Sequence, residues 1–152
     1  MLEAGSKSYV AEAGIGNAVL MDGDVLTNTI ELGKMVETAV YKHVAAFYYQ
    51  QATRVGYYRG GRKNKEIDVV VDSPNIKNIL IEVKYREQAP IPDDSAICTL
   101  SDEASAAIIV TKRPDDYGTH HAPNGKELIR IPAFAFLYLL GNAERYGYRG
   151  KD

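Results

Sequence analysis

Two short runs with a period of two constrain this chain more than anything else in it. Glu66–Asp72 (EIDVVVD) and Asn78–Lys84 (NILIEVK) flank a Ser73-Pro74-Asn75 turn, so they read as one antiparallel hairpin. With the turn centred on Asn75, Asp72 faces Asn78, Val70 faces Leu80, Asp68 faces Glu82 and Glu66 faces Lys84. One face is then Ile67, Val69, Val71, Ile79, Ile81 and Val83, an apolar core surface. The other face carries Glu66, Asp68, Glu82 and Lys84. Directly opposed side chains lie about 4.5–5.5 Å apart at Cβ, where like charges repel. Asp is also a poor strand residue. Such a hairpin needs a reason to hold Asp68 against Glu82.

The rest of the chain supplies an α/β setting. A helix is predicted over 29–51, with Asn28 as its cap and Glu31 three residues further on. Leu32, Met35, Val36, Ala39, Val40, Val44 and Phe47 form its apolar stripe, with His43 read as a core residue. Glu37 projects at the flank of that stripe, where an acid without a partner is expensive. Thr53–Tyr58 is a short strand closed by Gly60-Gly61, and Asp93–Ala104 is read as a helix. Ala106–Thr111 and Glu127–Ile131 read as strands, and Pro132–Leu140 as a closing helix with Pro in its first turn. Residues 113–126 read as a polar loop. The order α-β-β-β-α-β-β-α implies a mixed sheet flanked by helices. The domain is expected to span 28–141. Residues 1–27 precede it as an irregular lead-in, read as a remnant of an upstream domain, and 142–152 follow as a tail.

Composition narrows the function. The 152 residues suit one domain, and 18 basic against 20 acidic residues give a net charge of −2, which excludes a binder working by bulk positive charge. No apolar run is long enough for a membrane span, and the N-terminus lacks the pattern of a secretory signal. Cys98 is the single cysteine, which excludes an internal disulfide and a thiolate zinc site. A cytoplasmic location fits these features.

The opposed acids suggest a divalent cation. Two carboxylates converging from adjacent strands, with waters completing the shell, suit Mg²⁺ or Mn²⁺. Lys84, two residues beyond Glu82, shares its face and could orient a metal-bound water or stabilise developing negative charge. The alternative is a solvated face on which Glu66 and Lys84 pair. Arg54, Arg59, Arg62, Lys63 and Lys65 fall in an acid-free stretch beside Tyr57 and Tyr58, a composition suited to tracking phosphates and stacking on bases. A plain solvated loop reads equally well there. His120 and His121 lack neighbouring ligands in the sequence, and Cys98 reads as a small apolar residue.

Glu37 on a helix, Ile67-Asp68 on one strand and Glu82-Val83-Lys84 on the next resemble the PD-(D/E)XK nuclease superfamily. That superfamily has a restriction-endonuclease-like α-β-β-β-α-β core bearing a helix Glu, an Asp and an (Asp/Glu)-x-Lys motif. The resemblance covers residues 28–112. Tyr57-Tyr58-Arg59, Glu66-Ile67-Asp68 and Ile81-Glu82-Val83-Lys84 are similar to one subgroup, the nuclease-like domain at the C-terminus of bacterial and archaeal AAA-type ATPases. Leu128–Leu140 is similar to that subgroup's tail. The resemblance implies that Asp68, Glu82 and the Val83 carbonyl hold Mg²⁺ or Mn²⁺. It makes Glu37 a ligand or a neighbouring acid, Lys84 the catalytic lysine, and Tyr58, Arg59, Arg62, Lys63 and Lys65 contacts to DNA. Ile67 stands where the superfamily has proline, and Gln88 is a weak match to its auxiliary residue. No phosphate-binding loop for ATP occurs, so an ATPase domain would lie upstream. The expected activity is metal-dependent DNA phosphodiester hydrolysis, with a homodimer as one possible assembly. The rival expectation is a nuclease-like module that recognises DNA or protein without cutting.

Overall fold

The computed structural model describes residues 28–51, 53–60, 65–74 and 76–146. The expected lead-in, 1–27, lies outside the described residues, as do Arg62 and Lys63. Helix α1 (Thr29–Tyr48) is followed by strands β1 (Arg54–Gly60), β2 (Lys65–Ser73) and β3 (Ile76–Lys84). Then come the short helix α2 (Ala96–Leu100) with a 3₁₀ turn (Ser101–Glu103), strands β4 (Ala106–Thr111), β5 (Gly118–His121) and β6 (Glu127–Pro132), and helix α3 (Ala133–Arg145). The strands form one mixed sheet in the order β1-β2-β3-β4-β6-β5. Pairing is antiparallel across β1-β2-β3, parallel across β3-β4-β6 and antiparallel again between β6 and β5. The α/β class and the α-β-β-β-α-β order expected from sequence are both present. Among the described residues no helix is long and apolar enough to cross a membrane.

The start of α1 follows from its cap: the Asn28 side chain accepts from the amides of Ile30 (3.1 Å) and Glu31 (3.3 Å). Val40, Val44 and Phe47 are buried, while His43 is exposed rather than in the core, because it lies at the edge of the stripe they define. The helix predicted over 93–104 contracts to α2. Pro92 and the Asp93-Asp94 turn delay its start until Ser95 can cap Cys98 N–H at 3.4 Å. Strand β5 falls inside the stretch read as a polar loop. It is four residues long, lies at the sheet edge and has no fully buried residue, so no hydrophobic alternation marks it. Gly125, at φ 83°, makes the turn into β6 in a conformation that favours glycine. Helix α3 runs five residues past the predicted Leu140 end.

The sheet is buried on both faces. α1 and α3 pack together over Val69, Val71, Ile81 and Val110. On the other face, α2 and its flanking segments cover Val70, Leu80, Ala107, Ile109 and Leu128. Each of these Val, Leu and Ile side chains contributes about 1.5–3 kcal/mol on burial. Strand β2 carries a bulge: β1–β2 pairing passes from Gly56↔Val70 to Tyr58↔Ile67, so Asp68 and Val69 together oppose Tyr57. The extra residue reverses the alternation, and Ile67 packs with Val70 and Leu80, not with Val69 and Val71 as the uninterrupted pattern predicts.

Candidate metal and nucleic-acid site

The predicted hairpin register holds through its middle: Val69↔Ile81, Val70↔Leu80 and Val71↔Ile79. It slips near the turn, where Ser73 pairs with Ile76, so the expected Asp72–Asn78 pairing is not kept. At the other end the β2–β3 ladder stops at Val69↔Ile81, although β3 stays paired with β4 to Lys84↔Thr111 and β2 with β1 to Lys65↔Gly60. A side chain takes over where the ladder stops. Asp68 Oδ2 accepts from Val83 N–H at 2.8 Å, which sets its carboxylate beside the residue following Glu82. The β2 bulge at Asp68 is what re-aims this side chain.

Asp68 is 9% exposed and Glu82 8%. Burial on this scale is costly for ionised carboxylates unless each is answered by a donor or a cation. For Asp68 the Val83 amide is one answer. For Glu82 it is Lys84, whose Nζ lies 2.5 Å from Oε1. Lys84 thus meets Glu82, while Asp68 is tied to the main chain at Val83, between those two residues. The expected Glu66–Lys84 pair does not form: Glu66 meets Arg59 at 3.3 Å, an exposed contact worth little. Chemically, Asp68 and Glu82 offer hard oxygen donors that fit Mg²⁺ or Mn²⁺. No cluster of three or more His, Cys, Asp or Glu side chains positioned for a metal occurs among the described residues, so main-chain oxygen and water would have to complete a coordination shell.

A family model described as a domain of unknown function, DUF4143, matches residues 32–134. The chain belongs to this family. No curated protein and no solved structure matches it.

In this DUF4143 domain Glu37 stands on α1, half-buried. Alternation along β3 sends Glu82 and Lys84 to the α2 side, since Leu80 lies there while Ile81 and Val83 pack toward α1. Glu37 thus projects from the layer opposite the surface that bears the Glu-x-Lys pair. Of the basic and aromatic candidates, Arg59 is engaged by Glu66, and Lys65 Nζ donates to the carbonyl of Asp94. Tyr58 is half-buried and lines a small apolar cavity.

The DUF4143 domain also contains a feature that the sequence reading passed over. A polar pocket of about 320 Å³ lies just beyond the carboxyl ends of β3 and β4, lined by Gln88, Arg113, Asp116 and Arg130 among others. Arg130 donates twice to Asp116 (2.9 and 2.7 Å) and once to the Ala89 carbonyl at 3.2 Å. That guanidinium holds the Asp116 carboxyl below its ordinary value, and the carboxylate in turn raises the Arg130 pKa. The signal in the sequence was a lone charge at the inward phase of Leu128-Ile129-Arg130-Ile131. Strand pairing puts Arg130 in register with Ile109, and Ile109 with Glu82, so all three lie in one row across the sheet.

Proposed function

We propose that this domain hydrolyses DNA phosphodiester bonds with Mg²⁺ or Mn²⁺ held by Asp68 and Glu82. The observation that carries the reading is the junction where the β2–β3 ladder gives way to the Asp68–Val83 bond, with two nearly buried carboxylates, Asp68 held by the Val83 amide and Glu82 in contact with Lys84. Glu82 and Asp68 hold the cation, and the Val83 amide fixes the orientation of the Asp68 carboxylate. Such an ion, when bound, polarises a phosphoryl oxygen and acidifies water. Lys84 would orient a water at such an ion or stabilise the negative charge that develops on the phosphate. Tyr58, Arg59, Lys65 and the neighbouring Arg62 and Lys63 supply contacts to the DNA. Domains of this family occur in AAA-ATPase-associated proteins, which supports reading the chain as the nuclease-like part of such an assembly in the cytoplasm.

The test is cleavage of single-stranded, duplex and branched DNA in Mg²⁺ and in Mn²⁺. Asp68→Asn and Lys84→Met should each lower the rate by about 10²-fold or more. Glu37→Gln, altering an acid on the α1 layer, should cost less than either. Cleavage by Asp68→Asn and Lys84→Met at the wild-type rate would sink the proposal. The Lys84–Glu82 contact also favours a second reading, a recognition module that binds without cutting, because Lys84 Nζ already answers Glu82 Oε1 with no cation. Calorimetric titration with Mn²⁺ separates the two: heat of binding that Asp68→Asn abolishes supports the nuclease.

A further inference from the structure

The polar pocket of about 320 Å³ has no role in the proposed hydrolysis, yet it opens close to the residues that would perform it. Glu87, Gln88 and Ala89, which line it, begin three residues after Lys84. Arg130, which also lines it, shares a row of the sheet with Glu82 across Ile109. Two strand spacings of about 4.8 Å put those residues about 10 Å apart. A nucleic-acid strand covers that distance in about three nucleotides at its stacked rise of about 3.4 Å, and in fewer when extended.

The pocket is charge-balanced. Arg130 forks onto Asp116, Arg113 forks onto Asp115 at 3.0 and 2.7 Å, and Lys112 Nζ meets Glu87 Oε1. Three acids thus stand against three bases, and a phosphate entering here would add negative charge to a set that is already neutral. What the pocket does offer is hydrogen bonding. A guanidinium has five N–H groups. Arg113 commits two of them to Asp115, so three remain open on a side chain that is 54% exposed. Glu87 keeps Oε2 as an acceptor beyond its contact with Lys112. The Arg113 pKa is raised chiefly by the bond to Asp115 and also by the Glu87 carboxylate, which puts Glu87 within electrostatic reach of that guanidinium.

A neutral ring that accepts along one edge and donates along the next suits such a lining. Guanine is that ring: O6 and N7 accept, while N1–H and the 2-amino group donate. The volume agrees. A cavity of about 150 Å³ holds a benzene ring, and the two fused rings of a purine need less than twice as much. Resting on the nuclease reading only in taking a DNA strand as the ligand, we propose that this pocket receives a guanine base of the strand whose phosphate reaches Asp68 and Glu82. Arg113 donates to O6 and N7, and Glu87 accepts from N1–H and the 2-amino group. The Arg130–Asp116 fork, tied to the Ala89 carbonyl, is the fixed part of the lining. Adenine carries an amine where guanine has O6, so it meets Arg113 donor against donor. The domain thereby prefers strands with guanine within about three nucleotides of the cleaved bond.

Binding is measured without cleavage, by fluorescence anisotropy in EDTA, on a short single strand of thymidines and on the same strand with one central guanine or adenine. The guanine strand should bind about tenfold tighter than either of the others, as expected for one good bidentate contact. Arg113→Lys keeps the charge but loses the fork, and should bring the guanine-to-thymine ratio to about one. Glu87→Gln should lower that ratio at least about threefold. Both side chains are exposed, so neither change threatens the fold. Equal affinity for the three strands, a ratio that survives both substitutions, or no binding at all would overturn the inference. So would displacement of the guanine strand by micromolar guanosine monophosphate, since the free nucleotide would then be the ligand. Hydrolysis of bis(4-nitrophenyl) phosphate with Mn²⁺ reports the acid site alone, because that diester has no base. Hydrolysis without a guanine preference removes this inference and leaves the nuclease standing; a guanine preference with an inert diester does the opposite.

Discussion

Glu82 has the least ordinary energetics of any residue in the sheet. Its carboxylate is nearly buried, and Lys84 is the cation beside it, with the lysine side chain itself 26% exposed. Removing one partner of such a pair is far worse than removing both, because the remaining charge keeps its desolvation cost. In metal-free protein, Lys84→Met should therefore lower stability by about 1–3 kcal/mol, and adding Glu82→Gln should restore most of it. Urea unfolding of the two single variants and the double variant measures the coupling directly. A neutral Lys84→Met would mean that water already screens the carboxylate. Sequence made Asp68, Glu82 and Lys84 legible because opposed acids in a strand pair break a rule of sheet packing. It did not reveal that Asp68 would turn to a backbone amide, since the bulge responsible depends on how β1 pairs. His43 was misread for a related reason: a stripe's width is visible in sequence, but the line on which it meets the sheet is not.

The elements that alternate strongly, α1 and the β2–β3 hairpin, were readable to within a few residues because each buries a continuous face. The β4–β5 segment was not, since its order comes from side-chain pairing and not from burial. There, Asp116 and Arg130 tie the residues after β4 to β6 and, through the Ala89 carbonyl, to the segment after β3. The guanidinium lowers the Asp116 pKa from its ordinary 3.8. A carboxyl depressed in the folded state stabilises the protein at any pH above its unfolded value and loses that contribution as pH falls through the folded one. Asp116→Asn should accordingly cost about 1 kcal/mol at neutral pH, allowing for partial exposure of the pair. The gap to wild type should stay constant down to about pH 5 and close as acid takes the wild-type carboxyl below 3.8. Thermal melts of both proteins across pH 2–7 give the comparison, and a gap that widens in acid would contradict the assigned direction.

At the scale of the whole molecule, one sheet is sealed on its two sides by different layers, α1 with α3 on one and α2 with its flanking segments on the other. The central strand shows the consequence. Ile109 and Val110 are consecutive and fully buried, yet they belong to separate hydrophobic clusters. The sequence AAIIVT signals only an apolar strand, and which residue serves which layer is fixed by the parallel pairing with β3 and β6. If the sheet makes the two layers a single cooperative unit, damage to either should weaken the whole. Ile109→Ala should cost about 2–5 kcal/mol and Val110→Ala about 1.5–3 kcal/mol. Although the residues are bonded neighbours, their side chains share no packing, so the double variant should equal the sum within about 0.5 kcal/mol. Denaturant unfolding followed by both circular dichroism and tyrosine fluorescence should show one coincident transition in every variant. Two separated transitions in Ile109→Ala, with the α1–α3 side melting later, would mean that Glu82 and Lys84, on the α2 side, sit on a layer able to open by itself. The junction of Asp68, Glu82 and Lys84 that is proposed to hold the cation could not then depend on the rest of the fold to keep its shape.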